Sequence, residues 1–124
     1  MKYLPFLFLL LVNLAFGQEV SVFTSGTEGH KSYRIPAIIA LKNKEILAFA
    51  EGRVNNSGDF GDINIVMKRS ADKGKSWSPV KVLVNYASLQ AGNPAPVVDM
   101  LDPEHPQGVV YLFYNTGNNH EGEV

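Results

Sequence analysis

Three short stretches carry side chains that could do chemistry: Tyr33-Arg34-Ile35-Pro36, Glu51-Gly52-Arg53 and Gly58-Asp59-Phe60-Gly61-Asp62. Arg34 lies in an otherwise apolar run, where an unpaired guanidinium is expensive. Its planar fork matches a carboxylate through two parallel hydrogen bonds. That carboxylate can belong to a ligand or to an internal Asp or Glu, and the sequence leaves both open. Glu51-Gly52-Arg53 ends a strand pattern, where side chains leave a sheet for its rim. On composition alone it reads as a surface salt bridge, worth little. The 58–62 loop is glycine-flanked and acidic. It can hold a carboxyl group over a cleft, or it is a solvated loop or weak cation site. Two carboxylates without a supporting cluster do not make a calcium loop, and no metal or cofactor is expected.

Short strands must position these residues. The pattern predicts strands at Glu19 to Phe23, Tyr33 to Leu41, Ile46 to Ala50, Ile63 to Lys68 and Val80 to Val84. Thr24 to Ser32 and Val54 to Gly61 read as polar loops, and Asn43-Lys44 as a turn. Ser70 to Trp77, Ser-Ala-Asp-Lys-Gly-Lys-Ser-Trp, has the chemistry of a tight turn between antiparallel strands. Asp72 can accept from backbone N–H groups two residues on, Gly74 can take a positive φ, and Trp77 can anchor the turn with its ring. These residues read as scaffold that touches no substrate. After Tyr86 the pattern starts again: Asn93 to Asp99 resembles the first strand of a second unit, Asp102 to Gly108 is a Pro-rich turn, and Val109 to Tyr114 is a further strand. No helix-period segment appears beyond the N-terminus, so the class is all-β, with four strands forming one antiparallel blade.

The chain has 124 residues and a formal net charge of −1. No basic block or stripe marks a nucleic-acid partner. There is no cysteine, which excludes disulfides and thiolate metal sites. Lys2, the Leu- and Phe-rich run from Leu4 to Leu11, and Ala15-Phe16-Gly17 read as a secretory signal peptide over residues 1–17. The run is too short for a comfortable membrane span. The expectation is cleavage after Gly17 and a secreted or periplasmic chain, residues 18–124, with no membrane association after cleavage. Asn55-Asn56-Ser57 is formally a glycosylation sequon. It lies beside Asp59 and reads as chance.

Taken in order, Tyr-Arg-Ile-Pro, Ala-Phe-Ala-Glu-Gly-Arg, an Asp-bearing loop, and Ile-Val-Met-Lys-Arg-Ser leading into Ser-x-Asp-x-Gly-x-Ser-Trp resemble the opening blade of an exo-α-sialidase of the secreted bacterial kind. The 70–77 turn resembles that family's Asp box, which alone is unspecific because unrelated propellers contain it. The ordered set spans nearly all of the chain from Phe23 to Tyr114. The resemblance implies a six-bladed β-propeller, of which this chain would hold the first blade and part of the second. It implies retaining hydrolysis of terminal α-linked sialic acid from glycoproteins, glycolipids and oligosaccharides. Arg34 then matches the first of three arginines that clamp the sialic acid carboxylate, and Asp59 the general acid/base, with Asp62 its competitor. Arg53 resembles a pocket arginine near the 4-hydroxyl, and Asn93 lies where the second blade lends pocket residues.

The substrate chemistry is consistent with those roles. Sialic acid carries a carboxylate on its anomeric carbon, which repels a carboxylate nucleophile. The family resembles the glycosidase exception with a tyrosine nucleophile assisted by a glutamate. A protonated Asp59 must act first, so a raised pKa is expected there. None of Tyr33, Tyr86, Tyr111 or Tyr114 sits in a nucleophile context. One blade and part of another leave sheet edges open. The expectation is therefore an N-terminal piece of a longer protein, inactive alone. The alternatives are a non-catalytic Asp-box propeller that binds glycans or proteins, or another propeller glycosidase, which would keep Asp59 without requiring Arg34. A trans-sialidase is not separable by sequence.

Overall fold

The computed structural model describes residues 19–118. The leader reading at 1–17 lies outside the described residues. Among those described there is no helix. Six strands form two antiparallel sheets: β1 (Ser32–Ala40), β2 (Ile46–Arg53), β3 (Ile63–Ser70) and β4 (Lys81–Val84) in that spatial order, then β5 (Ala91–Asp99) paired with β6 (Val109–Thr116). This all-β meander is consistent with a fragment of a β-propeller. The strand predicted at Glu19 to Phe23 is a correction: the segment bends and pairs with no strand among the described residues. Alternation alone does not make a strand without a neighbouring ladder, and Phe23 is held instead by its ring, 5.1 Å from that of Tyr33.

β2 is the centre of the molecule. Leu47 to Arg53 are all buried, so both of its faces are covered. By strand alternation, Leu47, Phe49, Glu51 and Arg53 share the face on which β5 packs. Ala48, Ala50 and Gly52 share the other, with Asn64 and Val66 beside them on β3. There the 24–31 loop supplies His30, buried against Gly52. A Cβ on Gly52 would meet the His30 ring at 2.5 Å and Val66 at 2.9 Å. Glu28 fixes this loop from both sides, pairing with Lys68 at 2.6 Å and accepting the Val80 N–H at 2.7 Å.

The two sheets open with the same local device. β1 is bulged between Arg34 and Ala37, with Ile35 at φ 50, and β5 between Gly92 and Ala95, with Asn93 at φ 53. Each left-handed residue precedes Pro-Ala. A β-branched residue with positive φ is uncommon and strained, and the bulge it makes bends the strand and re-aims its side chains.

The 70–77 turn joins β3 to β4 as expected, with different bonding in detail. Asp72 Oδ1 accepts the Ser76 N–H at 2.9 Å, four residues on, and Oδ2 accepts the Ser76 hydroxyl at 2.6 Å. The buried Ser70 hydroxyl donates to Asp72 at 2.9 Å and accepts the Gly74 N–H at 2.8 Å. Trp77 Nε1 closes the turn on the Gly74 carbonyl at 3.2 Å, and Gly74 takes a φ of 87.

Candidate functional site

Arg34 leaves β1 at its bulge, and Arg53 ends β2. Both reach into the loop that follows β2, where Asp59 Oδ1 lies 2.8 Å from Arg34 Nη1 and 2.8 Å from Arg53 Nη2. The sequence left two partners open for Arg34; the structure pairs it with an internal carboxylate, that of Asp59. The two arginines differ in setting. The side chain of Arg34 is 47% exposed and that of Asp59 65%, whereas that of Arg53 is 3% exposed.

Arg53 organises the loop. Its Nη1 donates to the Ser57 carbonyl at 2.6 Å and the Gly58 carbonyl at 2.8 Å. Asn56 Oδ1 accepts the Gly58 N–H at 2.7 Å, and the Ser32 hydroxyl donates to the Asn56 carbonyl. The far side of the loop leans on the second sheet: Gly61 N–H donates to Asn118 Oδ1, and Gln90 can donate its side-chain amide to the Asp59 carbonyl oxygen at 2.9 Å. The loop is thereby tied to both sheets.

Glu51 and Arg53 overturn the rim reading. The pair is buried, at 1% and 2% exposure, because Asn93 of β5 lies against Glu51 and the 57–59 loop wraps Arg53. Glu51 Oε2 accepts from Arg53 Nε at 3.1 Å and Nη2 at 2.6 Å, and Oε1 accepts the Asn93 N–H at 2.9 Å. Asn93 therefore joins the cluster through its backbone. Its side chain turns instead to Asn115 Oδ1, at 3.2 Å. Asp62, the competitor of Asp59, turns inward: its Oδ1 is buried with no partner among the described residues. Asp62 borders a pocket of about 50 Å³ shared with Arg53, Asn55, Asn56 and Phe60.

Electrostatics also correct one expectation. The Asp59 carboxyl is held below its ordinary value, first by the hydrogen bond and charge of Arg53 and then by Arg34. Two cations at contact distance outweigh the slight loss of solvent at so exposed a group. Ligand-free, Asp59 is ionised at neutral pH.

Beside Arg34 a second, apolar cavity of about 200 Å³ is lined by Phe23, Tyr33, Pro36 and Ala50. The described tyrosine hydroxyls are mostly committed elsewhere. Tyr33 donates to the Thr27 carbonyl at 2.9 Å, and Tyr86 and Tyr114 share a 2.7 Å bond that raises the Tyr114 pKa. No sequence pattern marks His30 as part of this region. Its Nδ1 lies 3.3 Å from the Tyr33 hydroxyl and its Nε2 3.5 Å from Asn64 Nδ2. Only the tight Gly52 across from it hints at its place. Among the described residues no group of three or more His, Asp or Glu gathers that could hold a metal ion.

No protein-family model matches the chain. Individual relatives do. The chain is 43% identical over 91 residues to an exo-alpha-sialidase of Aspergillus fumigatus and 42% identical over 91 residues to one of Arthroderma benhamiae. Each match takes in 68% of this chain and 21% of the relative. A sialidase of Micromonospora viridifaciens is 31% identical over 101 residues, 77% of this chain and 15% of that protein. The chain thus spans about a fifth of the length of the fungal relatives it matches. The likeness reaches fungal as well as bacterial proteins, and it marks this chain as a relative of the sialidases.

Proposed function

We propose that this chain is the opening portion of an exo-α-sialidase, exported by its 1–17 leader to the periplasm or the exterior, and that the whole protein is a six-bladed propeller. The activity is retaining release of terminal α-linked sialic acid from glycoproteins, glycolipids and oligosaccharides. One observation carries the reading: an exposed arginine and a buried one converge on a single exposed carboxylate, each at 2.8 Å, in a loop tied to both sheets. An arginine free to exchange an internal carboxylate for a ligand's is a binding group for an acidic sugar. The sialidase relatives supply the sugar class.

In this reading Arg34 releases Asp59 and takes the substrate carboxylate. Substrate entry removes one cation from Asp59 and excludes water from it. Both changes raise its pKa toward the range a general acid needs. Arg53 stays fixed and faces the sugar's 4-hydroxyl, with Asn93 at the rim. The 70–77 turn is scaffold. The nucleophile is a tyrosine other than Tyr33, Tyr86, Tyr111 or Tyr114, none of which sits in a matching context; the hydroxyls of Tyr33, Tyr86 and Tyr114 are besides bonded to other groups.

The test is turnover of an aryl α-sialoside by the whole protein, with the Arg34→Ala and Asp59→Asn variants. Sialic acid release that falls in both variants, alongside normal folding, supports the reading. Absence of release from wild type, with several linkages tried, overturns it. The saturated Asp59 ion triad also suits a second reading, a propeller that binds glycans without cleaving them. Sialoside binding without release would favour that one.

A further inference from the structure

Glu51 and Arg53 are charged, almost wholly buried, and without a stated part in the reaction beyond the pocket role of Arg53. Every face of the Arg53 guanidinium is used: Nε and Nη2 on Glu51, Nη1 on the Ser57 and Gly58 carbonyls, and Nη2 on Asp59. Glu51 is equally saturated, holding Arg53 with one oxygen and the Asn93 N–H with the other. The second sheet makes room for it: a Cβ on Gly92 would stand 2.8 Å from Glu51 Oε1. Asp59, by contrast, is exposed, and its carboxylate is held only by the two arginines among the described residues.

We infer that Glu51 is a positioning residue, which fixes Arg53 and through it the place and charge of Asp59, and which ties that arrangement to the second sheet at Asn93. Two donors of the guanidinium, Nε and Nη2, converge on the one oxygen Oε2 and so fix the edge that Arg53 turns to Glu51 as well as its position. The charges alternate along the chain of contacts: Glu51 negative, Arg53 positive, Asp59 negative, Arg34 positive. The charged groups facing Asp59 are Arg34 from β1 and Arg53 from β2. Glu51 faces Arg53 and, from the second sheet, the neutral Asn93 and Gln90. Neutralising Glu51 leaves Asp59 as the one carboxylate on Arg53 among the described residues, and Asp59 becomes harder to protonate. Glu51→Gln also turns an amide donor toward the donors of Arg53 or Asn93, so the clasp loses one of its two connections.

The kinetic part of this inference rests on the sialidase reading; the titration part does not. In the whole protein, the Asp59 carboxyl is titrated by carbon-13 NMR, with Asp59→Asn as the assignment control. The same variants are assayed for kcat/KM on an aryl sialoside across pH. In E51Q the Asp59 titration moves to lower pH, and kcat/KM falls at least tenfold. A purely structural Glu51 would lower the folded yield without moving the titration. E51D, which keeps the charge, returns the titration toward wild type. On an Arg53→Gln background, adding E51Q costs no more than a further twofold. A folded E51Q with an unmoved titration and wild-type kinetics overturns the inference. So does a further tenfold loss on the R53Q background, where Glu51 has no guanidinium to act through. Should E51Q leave the buried Arg53 with only the exposed Asp59 to pair it and fail to fold, R53Q and the uncharged pair E51Q/R53Q decide by that same comparison. An inactive wild type sinks the sialidase reading and leaves the NMR titration to decide this one.

Discussion

Arg34 and Asp59 show how a charged residue in an apolar strand is legible in kind and ambiguous in partner. The cost of an unpaired guanidinium says that a carboxylate is near; whether it is internal or a ligand's depends on a loop 25 residues away in sequence. The same exposure that lets Asp59 exchange partners also makes it sensitive to truncation. Asp59→Asn keeps the shape and one acceptor but removes the proton donor, so kcat should fall by about 10²–10⁴-fold with KM changed little. Arg34→Ala should act on binding, lowering kcat/KM by about 10–100-fold, mostly through KM. Steady-state kinetics on a sialoside separate the two. A loss of kcat alone in Arg34→Ala would contradict a carboxylate clamp. The surface-pair reading of Glu51 and Arg53 failed for a physical reason. The loop residues that wrap Arg53, Ser57 to Asp59, follow it in sequence, and β5 covers its partner Glu51 through Asn93; a charge at a strand's end looks solvated until those pieces are laid over it.

At the scale of the element, most strands and their order were legible, because β2, β3 and the 70–77 turn are locally consistent: apolar strands, then turn residues with hydroxyls and glycine where the backbone needs them. The segment 19–23 was not, since its two-residue period is shared by any chain that lays alternate side chains on a surface. The turn carries two predictions. Ser70→Ala removes a buried hydroxyl that both donates and accepts, and should cost about 1–2 kcal/mol in denaturant unfolding. Asp72 titrates at about 2 in the fold against its ordinary 3.8, chiefly because the Ser76 hydroxyl and N–H and the Ser70 hydroxyl bond its ionised form. Its folded pKa is depressed, so its contribution to stability is complete above about pH 4 and fades as pH falls toward 2. Asp72→Asn should therefore flatten the acid limb of a stability–pH curve in that window, while leaving its shape above pH 5 unchanged. A variant whose acid limb matches wild type would show that the turn's hydrogen bonds do not favour the ionised carboxylate.

For the whole molecule, the joint between the two sheets is the feature on which site and fold meet. Ala91 and Gly92 are buried there, Gly92 over Glu51, and Asn93 donates back to it. On the opposite face of β2 a Cβ on Gly52 would meet His30 at 2.5 Å, while one on Gly92 would meet the Gln90 amide, closer still, and Glu51 Oε1 at 2.8 Å. The two glycines separate what the fold needs from what the site needs. Gly52→Ala forces His30 and the 24–31 loop outward. It should cost about 1–3 kcal/mol as overpacking does, and the molecules that remain folded should keep kcat/KM within a few-fold of wild type. Gly92→Ala incurs a similar cost and also pushes on Gln90, which reaches the Asp59 carbonyl, and on the carboxylate that holds Arg53, so its folded fraction should lose at least tenfold in kcat/KM. Unfolding curves paired with active-site-normalised kinetics make the comparison. Equal kinetic losses in both variants would mean that the two faces of β2 act on the site alike, and that the clasp at Glu51 has no special part in it. A loss confined to Gly92→Ala would place the coupling between the two sheets on the Glu51 side of the strand, where Asn93 of β5 meets Glu51.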